Sequence, residues 1–176
     1  MSKTITLNLR KDLIMEAVMA ETYDVGRLDK NANPVDNAAA GSAEQAGGEA
    51  YQERVLLRYL KAAVSRFEAQ MAEFLEAGNG SISNTLTAAS QTFTVVMIVG
   101  DRYNNGLASP MSSLCEDYLV NQMLYNWWKV RKPDYATGFA ASARDDIDHV
   151  RLCMSKTAPA AASGDYTDVN GTVTNS

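Results

Sequence analysis

The stretch LCEDYLVNQMLYNWWKV, Leu114 to Val130, restricts the fold more than any other part of the chain. Cys115, Leu119, Met123, Trp127 and Val130 follow one helical stripe, and Leu114, Tyr118, Tyr125 and Trp128 follow a second. Apolar groups therefore cover too much of the cylinder for a helix with one wet side. Such a helix is either central in a bundle or faces a partner. Ser113 and Glu116 have capping-box spacing and predict its start. It is expected to run to about Arg131, and Pro133 marks the break before a new helix. Neighbouring residues on a helix diverge by about 100°. One of the adjacent tryptophans is therefore expected in the core and the other against a neighbour.

The remaining elements follow from periodicity. Thr4–Leu9 alternates, with Ile5, Leu7 and Leu9 on one face, and predicts a half-buried strand. Asp12 and Glu16 suit the first turn of a short helix. Leu13, Ala17 and Ala20 form one side of it, Ile14 and Val18 widen that side, and Gly26 is expected just past its end. Glu49–Glu76 predicts the longest helix, about 40 Å, with Leu56, Leu60, Val64, Phe67, Met71 and Phe74 as its apolar stripe. Gly78 and Gly80 are expected to stop it. Gln91–Val99 predicts a second strand, with Phe93, Val95, Met97 and Val99 inward and Val96 and Ile98 covered at one end. The two strands are expected to pair with each other or to join a sheet completed by neighbouring subunits. Asn105-Gly106 is the strongest turn signal. In the last helix Ala140, Ala143, Ile147, Val150 and Met154 form the stripe, which Tyr135 and Phe139 extend upstream.

The expected architecture is mainly α: a bundle of about four helices with two short β-strands, the N-terminal one and 91–99. With 176 residues the chain is expected to form a single helical domain over 1–156. The segment Asp29–Gly48 has no aromatic and carries Pro34, Gly41, Gly47 and Gly48, so it is read as a mobile insertion or a tolerated surface loop. The segment 157–176 is read as a disordered tail.

Composition narrows the functional classes. A formal charge of -5 disfavours unspecific wrapping of a nucleic-acid backbone, though not a local basic patch. Cys115 and Cys153, far apart, make neither a disulfide framework nor a C-x-x-C site, and both are read as small buried hydrophobes in a cytosolic fold. The first residues show no long apolar core or cleavage signal and are read as no secretory leader. The longest apolar run, Val95–Val99, falls far short of the roughly 20 residues of a membrane span.

Signals for chemistry are weak. With His149 the sole histidine, a multi-histidine metal site within one chain is excluded. Asp145, Asp148 and His149 share a helix face at i, i+3 and i+4. They are read as a solvated face with ion pairs to Arg144 and Arg151, and as a metal or catalytic centre only in a third-ranked reading. There is no G-x-S-x-G elbow, no G-x-G-x-x-G and no phosphate-loop lysine. No cofactor, catalytic residue or metal ligand is assigned, and the chain is read as a non-enzyme.

Two basic groups are candidate phosphate or nucleic-acid contacts: Arg54, Arg58 and Lys61 on the long helix, and Lys129, Arg131 and Lys132 beside the tryptophans. Cations at a helix C-terminus also follow from its dipole alone. Aromatic anchors are typical of protein interfaces, so Tyr118, Tyr125, Trp127, Trp128, Tyr135 and Phe139 are the candidate interface residues. Together these features are expected of an assembly subunit. The runner-up reading is a small helical binding or regulatory protein of a mobile element, with nucleic-acid contact.

The segment YLVNQMLYNWWKVRKPDYATGFAASARDDIDHVRLCM, with ETYDVGR at Glu21–Arg27 and TFTVVM at Thr92–Met97, resembles small helical structural proteins. These are encoded by tailed phages and prophages of gut Bacteroides-like bacteria. More loosely, the chain resembles head-to-tail connector and neck proteins. The matching positions are Tyr118, Leu119, Val120, Asn121, Leu124, Trp127, Pro133, Tyr135, Ala140, Ile147 and Leu152. The resemblance implies a virion component made in the bacterial host cytoplasm and lacking enzymatic activity. It implies a ring-like homo-oligomer whose partners are portal or tail structural proteins. The Ala/Gly-rich insertion and the absence of a dense basic C-terminus depart from that pattern.

Overall fold

The computed structural model describes residues 2–32, 50–76 and 81–157. The fold is mainly helical with two short antiparallel strands, as the periodicity predicts. Strand β1 (Ser2–Arg10) pairs with β2 (Thr92–Gly100) in a register that places Leu7 opposite Val95 and Leu9 opposite Phe93. Period-two alternation then puts Leu7, Leu9, Phe93, Val95, Met97 and Val99 on one buried face. Val96 and Ile98, on the opposite face, are half-buried.

Helix α1 (Lys11–Ala32) follows β1 without a loop. The junction is held from three sides. Arg10 N donates to Glu116 Oε1 at 2.7 Å, and Asp12 N donates to Gln91 O at 3.3 Å. Lys11 Nζ donates to the Thr87 and Ala88 carbonyls at 3.1 and 2.7 Å. That anchorage fixes which side of α1 turns inward: Lys11, Ile14, Val18 and Thr22 are buried, whereas Leu13, Ala17 and Ala20 are exposed. Of the expected face, Ile14 and Val18 are therefore inward, and Leu13, Ala17 and Ala20 are not. Gly26 lies inside the helix, and Asp29–Ala32 of the expected insertion are helical too. The remainder of that insertion and residues 158–176 of the expected tail lie outside the described residues.

Helix α2 (Ala50–Gln70) buries Leu56, Leu60, Ala63, Val64 and Phe67, and Met71 just beyond it. It stops short of the expected end because the next residues join the sheet. Ile98 N donates to Phe74 O at 2.6 Å, Glu76 N donates to Val96 O at 3.2 Å, and Leu75 bridges Met97. These bonds replace the helical ones that residues 74–76 forgo. A single turn, α3 (Ile82–Thr85), precedes β2; Glu68 on α2 accepts hydrogen bonds from Ile82 N and Ser81 Oγ.

A 3-10 turn (Asn105–Leu107), closed by Gly106 N donating to Asn104 Oδ1 at 3.0 Å, runs directly into α4 (Ala108–Arg131). Ser113 and Glu116 are thus within the helix and not a capping box; Pro110 sits in the first turn, where its missing N–H costs nothing. Helix α5 (Pro133–Ser155) begins with Pro133 in its first turn and returns antiparallel along α4. It buries Ala136, Ala143, Ile147, Val150 and Met154, while Ala140 is exposed.

Of the two roles open to α4, the central one is realised. It contacts α1, α2, α5 and β1, and buries Met111, Cys115, Tyr118, Leu119, Gln122, Met123, Leu124, Asn126, Trp127 and Trp128. Val130, expected on the core stripe, is instead 79% exposed in the last turn of the helix. Trp128→Ala empties a site that is fully buried. It is expected to destabilise the fold by about 3–5 kcal/mol, seen as a lower urea midpoint; an unchanged midpoint would show that the side chain is not part of the core.

Candidate functional site

The tip of the α4–α5 hairpin gathers most of the aromatic and basic candidates. Lys132 is the whole connection: its N–H donates to Trp128 O at 2.7 Å, and its carbonyl accepts from Tyr135 N and Ala136 N at 3.1 Å each. So tight a turn stacks the side chains on either side of it. Trp128 meets Tyr135 edge to face at 5.6 Å, and Tyr135 meets Phe139 at 5.5 Å.

Both tryptophans are buried within the chain, at 2% and 0% exposure, and Tyr118 at 1%. The expectation that one tryptophan faces a neighbour fails because α4 is covered on that side by α5, and Tyr135 packs over Trp128. Of the six interface candidates, Tyr125 and Phe139 are half-buried and Tyr135 is 43% exposed.

The basic residues are tied to rings of their own chain. Arg131 lies 3.8 Å from the Trp127 ring and donates to Trp127 O at 2.9 Å. Lys132 is 5.8 Å from Trp128. Lys129 is 5.5 Å from Tyr125 and donates to Asn126 Oδ1 at 2.9 Å. On α2, Arg58 lies 5.6 Å from the Tyr59 ring, which meets Trp127 edge to face at 6.2 Å. A series with two edge-to-face rings between two cations, Arg58–Tyr59–Trp127–Arg131, thus joins the two basic groups that the sequence keeps apart. Arg54 lies farther off, lining a groove with Lys11 and Glu53, and Lys61 is half-buried.

The acidic cluster does not converge. Asp148 pairs with Arg151 at 3.2 Å, and Asp145 and His149 are exposed. Asp146, which sequence reasoning passed over, is half-buried and accepts from Asn121 Nδ2 at 2.8 Å; burial raises its pKa against that hydrogen bond. Among the described residues no three His, Cys, Asp or Glu side chains are placed to hold a metal ion.

Clefts mark the surface of the described residues. One of about 640 Å³ lies between α1, α2 and residues 88–91, but the ammonium of Lys11 in its lining is engaged by two carbonyls. Another of about 500 Å³ lies beside β2, where Glu68 is likewise engaged by Ser81 and Ile82. A third, about 340 Å³, is lined by Arg66, Gln70, Tyr118, Gln122, Tyr125, Ala140, Ala143 and Arg144. The sequence offered a signal for its floor, since Tyr118, Gln122 and Tyr125 step i, i+4, i+7 along α4, but none for the helices that wall it.

Compared with known proteins, the chain matches no protein-family model, no curated protein and no solved structure.

Burial raises the pKa of Cys115 and Tyr103, and pushes Tyr118 up to about 12 although Arg66 and Arg151 act to lower it. In the unfolded chain these groups ionise near 9.0 and 10.0. Their contribution is therefore whole below pH 9.0 and is lost as pH climbs through 9.0 and 10.0 towards about 12. Stability is expected to fall steeply across that alkaline range, and Tyr118→Phe is expected to flatten its upper part. Parallel thermal-melt profiles for the two proteins would refute the assignment to Tyr118.

Proposed function

We propose that this protein is a non-catalytic building block that self-associates into a ring, a structural virion component of the head-to-tail connector or neck type. One observation carries the assembly reading: the sheet has two edges, and they are treated differently. The outer edge of β2 is closed by Phe74, Leu75 and Glu76. The outer edge of β1 has no strand beside it, and among the described residues no backbone hydrogen bond reaches it between Lys3 and Leu9. Its middle, Thr4 to Leu9, carries no charge, proline or bulge of the kind that blunts an edge. Such an edge can take up a strand from a second copy through main-chain bonds, with the exposed Thr4, Thr6 and Asn8 alongside.

The virion assignment is supported by the resemblance of the α4–α5 segment to phage connector proteins. Tyr118, Leu119, Leu124, Trp127 and Ile147 of that resemblance are core positions, and Pro133 fixes the hairpin turn. Portal or tail proteins are the partners this reading supplies, with Tyr125, Tyr135 and Phe139 as the accessible aromatic contacts.

Sedimentation velocity tests the assembly reading. The chain is expected to form closed higher oligomers, and Thr4→Lys with Thr6→Lys is expected to leave a helical monomer, because lysines along an open edge oppose the addition of a strand. A wild-type chain that stays monomeric at every concentration and binds no neighbouring virion protein contradicts it. A second reading, contact with nucleic-acid phosphates, is favoured by the Arg58–Tyr59–Trp127–Arg131 series. Salt-dependent binding to duplex or single strands is its signature, and no binding at low salt removes it.

A further inference from the structure

The cleft of about 340 Å³ has the chemistry of a binding site that assembly does not require. Its floor is one face of α4, with Tyr118, Gln122 and Tyr125; Arg66 and Gln70 rise on α2, and Ala140, Ala143 and Arg144 line the α5 side. Arg66 and Arg144 are both exposed, and neither has an ion-pair or hydrogen-bond partner among the described residues. No carboxylate lines the cleft. A third guanidinium, Arg151, lies near one end: it donates to Gln70 O at 2.8 Å and pairs with Asp148.

Two further groups are hard to explain as packing. The Tyr118 side chain is 1% exposed, yet its hydroxyl has no hydrogen-bond partner among the described residues. Gln122 beside it makes no hydrogen bond among the described residues either, but its amide is not one of the fully enclosed polar atoms and so stays open to the cleft. Buried polar groups ordinarily find partners, and leaving one without costs about 1–3 kcal/mol. The two guanidiniums and the Gln122 amide together make a set rich in N–H donors. Ala140 and Ala143 keep the facing wall low, and at about 340 Å³ the cleft suits a small ligand.

We infer that this cleft binds a small oxyanion, the carboxylate or phosphate group of a low-molecular-weight ligand, held between Arg66 and Arg144 over Tyr118 and Gln122. Guanidinium forks engage either group through paired N–H donors. The Tyr125 ring supplies a flat apolar wall for whatever the oxyanion is attached to. The inference is independent of the ring reading, since it needs one copy of the chain only.

Calorimetric titration of the full chain with inorganic phosphate, and separately with malonate, at constant ionic strength tests it. At least one is expected to bind with millimolar or tighter affinity and to raise the melting temperature. Tighter binding of phosphate assigns the site to phosphoryl ligands, and tighter binding of malonate assigns it to carboxylates. Arg66→Gln and Arg144→Gln are each expected to weaken binding about tenfold; both positions are exposed, so circular dichroism is expected to be unchanged. Tyr118→Phe, which keeps the ring, is expected to weaken binding less. Absence of binding by both anions overturns the inference, as does equal affinity in the folded Arg66→Gln/Arg144→Gln double variant.

Discussion

A helix that is apolar nearly all the way round has to be enclosed, and the rest of this fold is the enclosure of α4. Strand β1 and helices α1, α2 and α5 each take a side of it. Burial of two tryptophans and Tyr118 along one helix supplies the largest single block of apolar area in the core. The polar atoms carried in with those rings are only partly satisfied: Trp128 Nε1 and the Tyr118 hydroxyl are buried without partners among the described residues. Shape, more than hydrogen bonding, decides what lies against α4.

The sheet is small and depends on that helix. Two strands alone are marginal in water, but here their common buried face rests on the bundle, and residues 74–76 protect one edge. The early end of α2 follows from this. A helix continued to Glu76 would leave β2 with an open edge as well. Among the described residues, one edge of the sheet is closed and the other, along β1, is left open.

The element order was legible because its signals are local. Alternation gave both strands, the i, i+3, i+4 stripe gave α2 and α5, and Pro133 gave the hairpin turn. What the sequence concealed was set by long-range contacts. The inward side of α1 is dictated by Lys11 reaching Thr87 and Ala88, so Leu13 is exposed in spite of its hydrophobicity. Glu116 looked like a capping residue and instead closes the β1–α1 junction from across the fold. For the candidate sites the same division holds. The basic and aromatic residues were identifiable by type, but only packing shows that Trp127 and Trp128 are enclosed and that Arg131 and Lys132 lie against them. The cleft between Arg66 and Arg144 sets α2 against the α4–α5 hairpin, far from it in sequence, and no spacing rule reaches that far.

The assembly account rests on the outer edge of β1 being a joint between copies. Hydrogen–deuterium exchange, followed residue by residue in dilute and in concentrated protein, addresses that joint directly. Slowed exchange at alternate amides of Lys3–Leu9 on concentration, with α4 protected throughout, is the expected result. Exchange along β1 that stays fast while the protein oligomerises through some other surface, or does not oligomerise at all, would contradict the account.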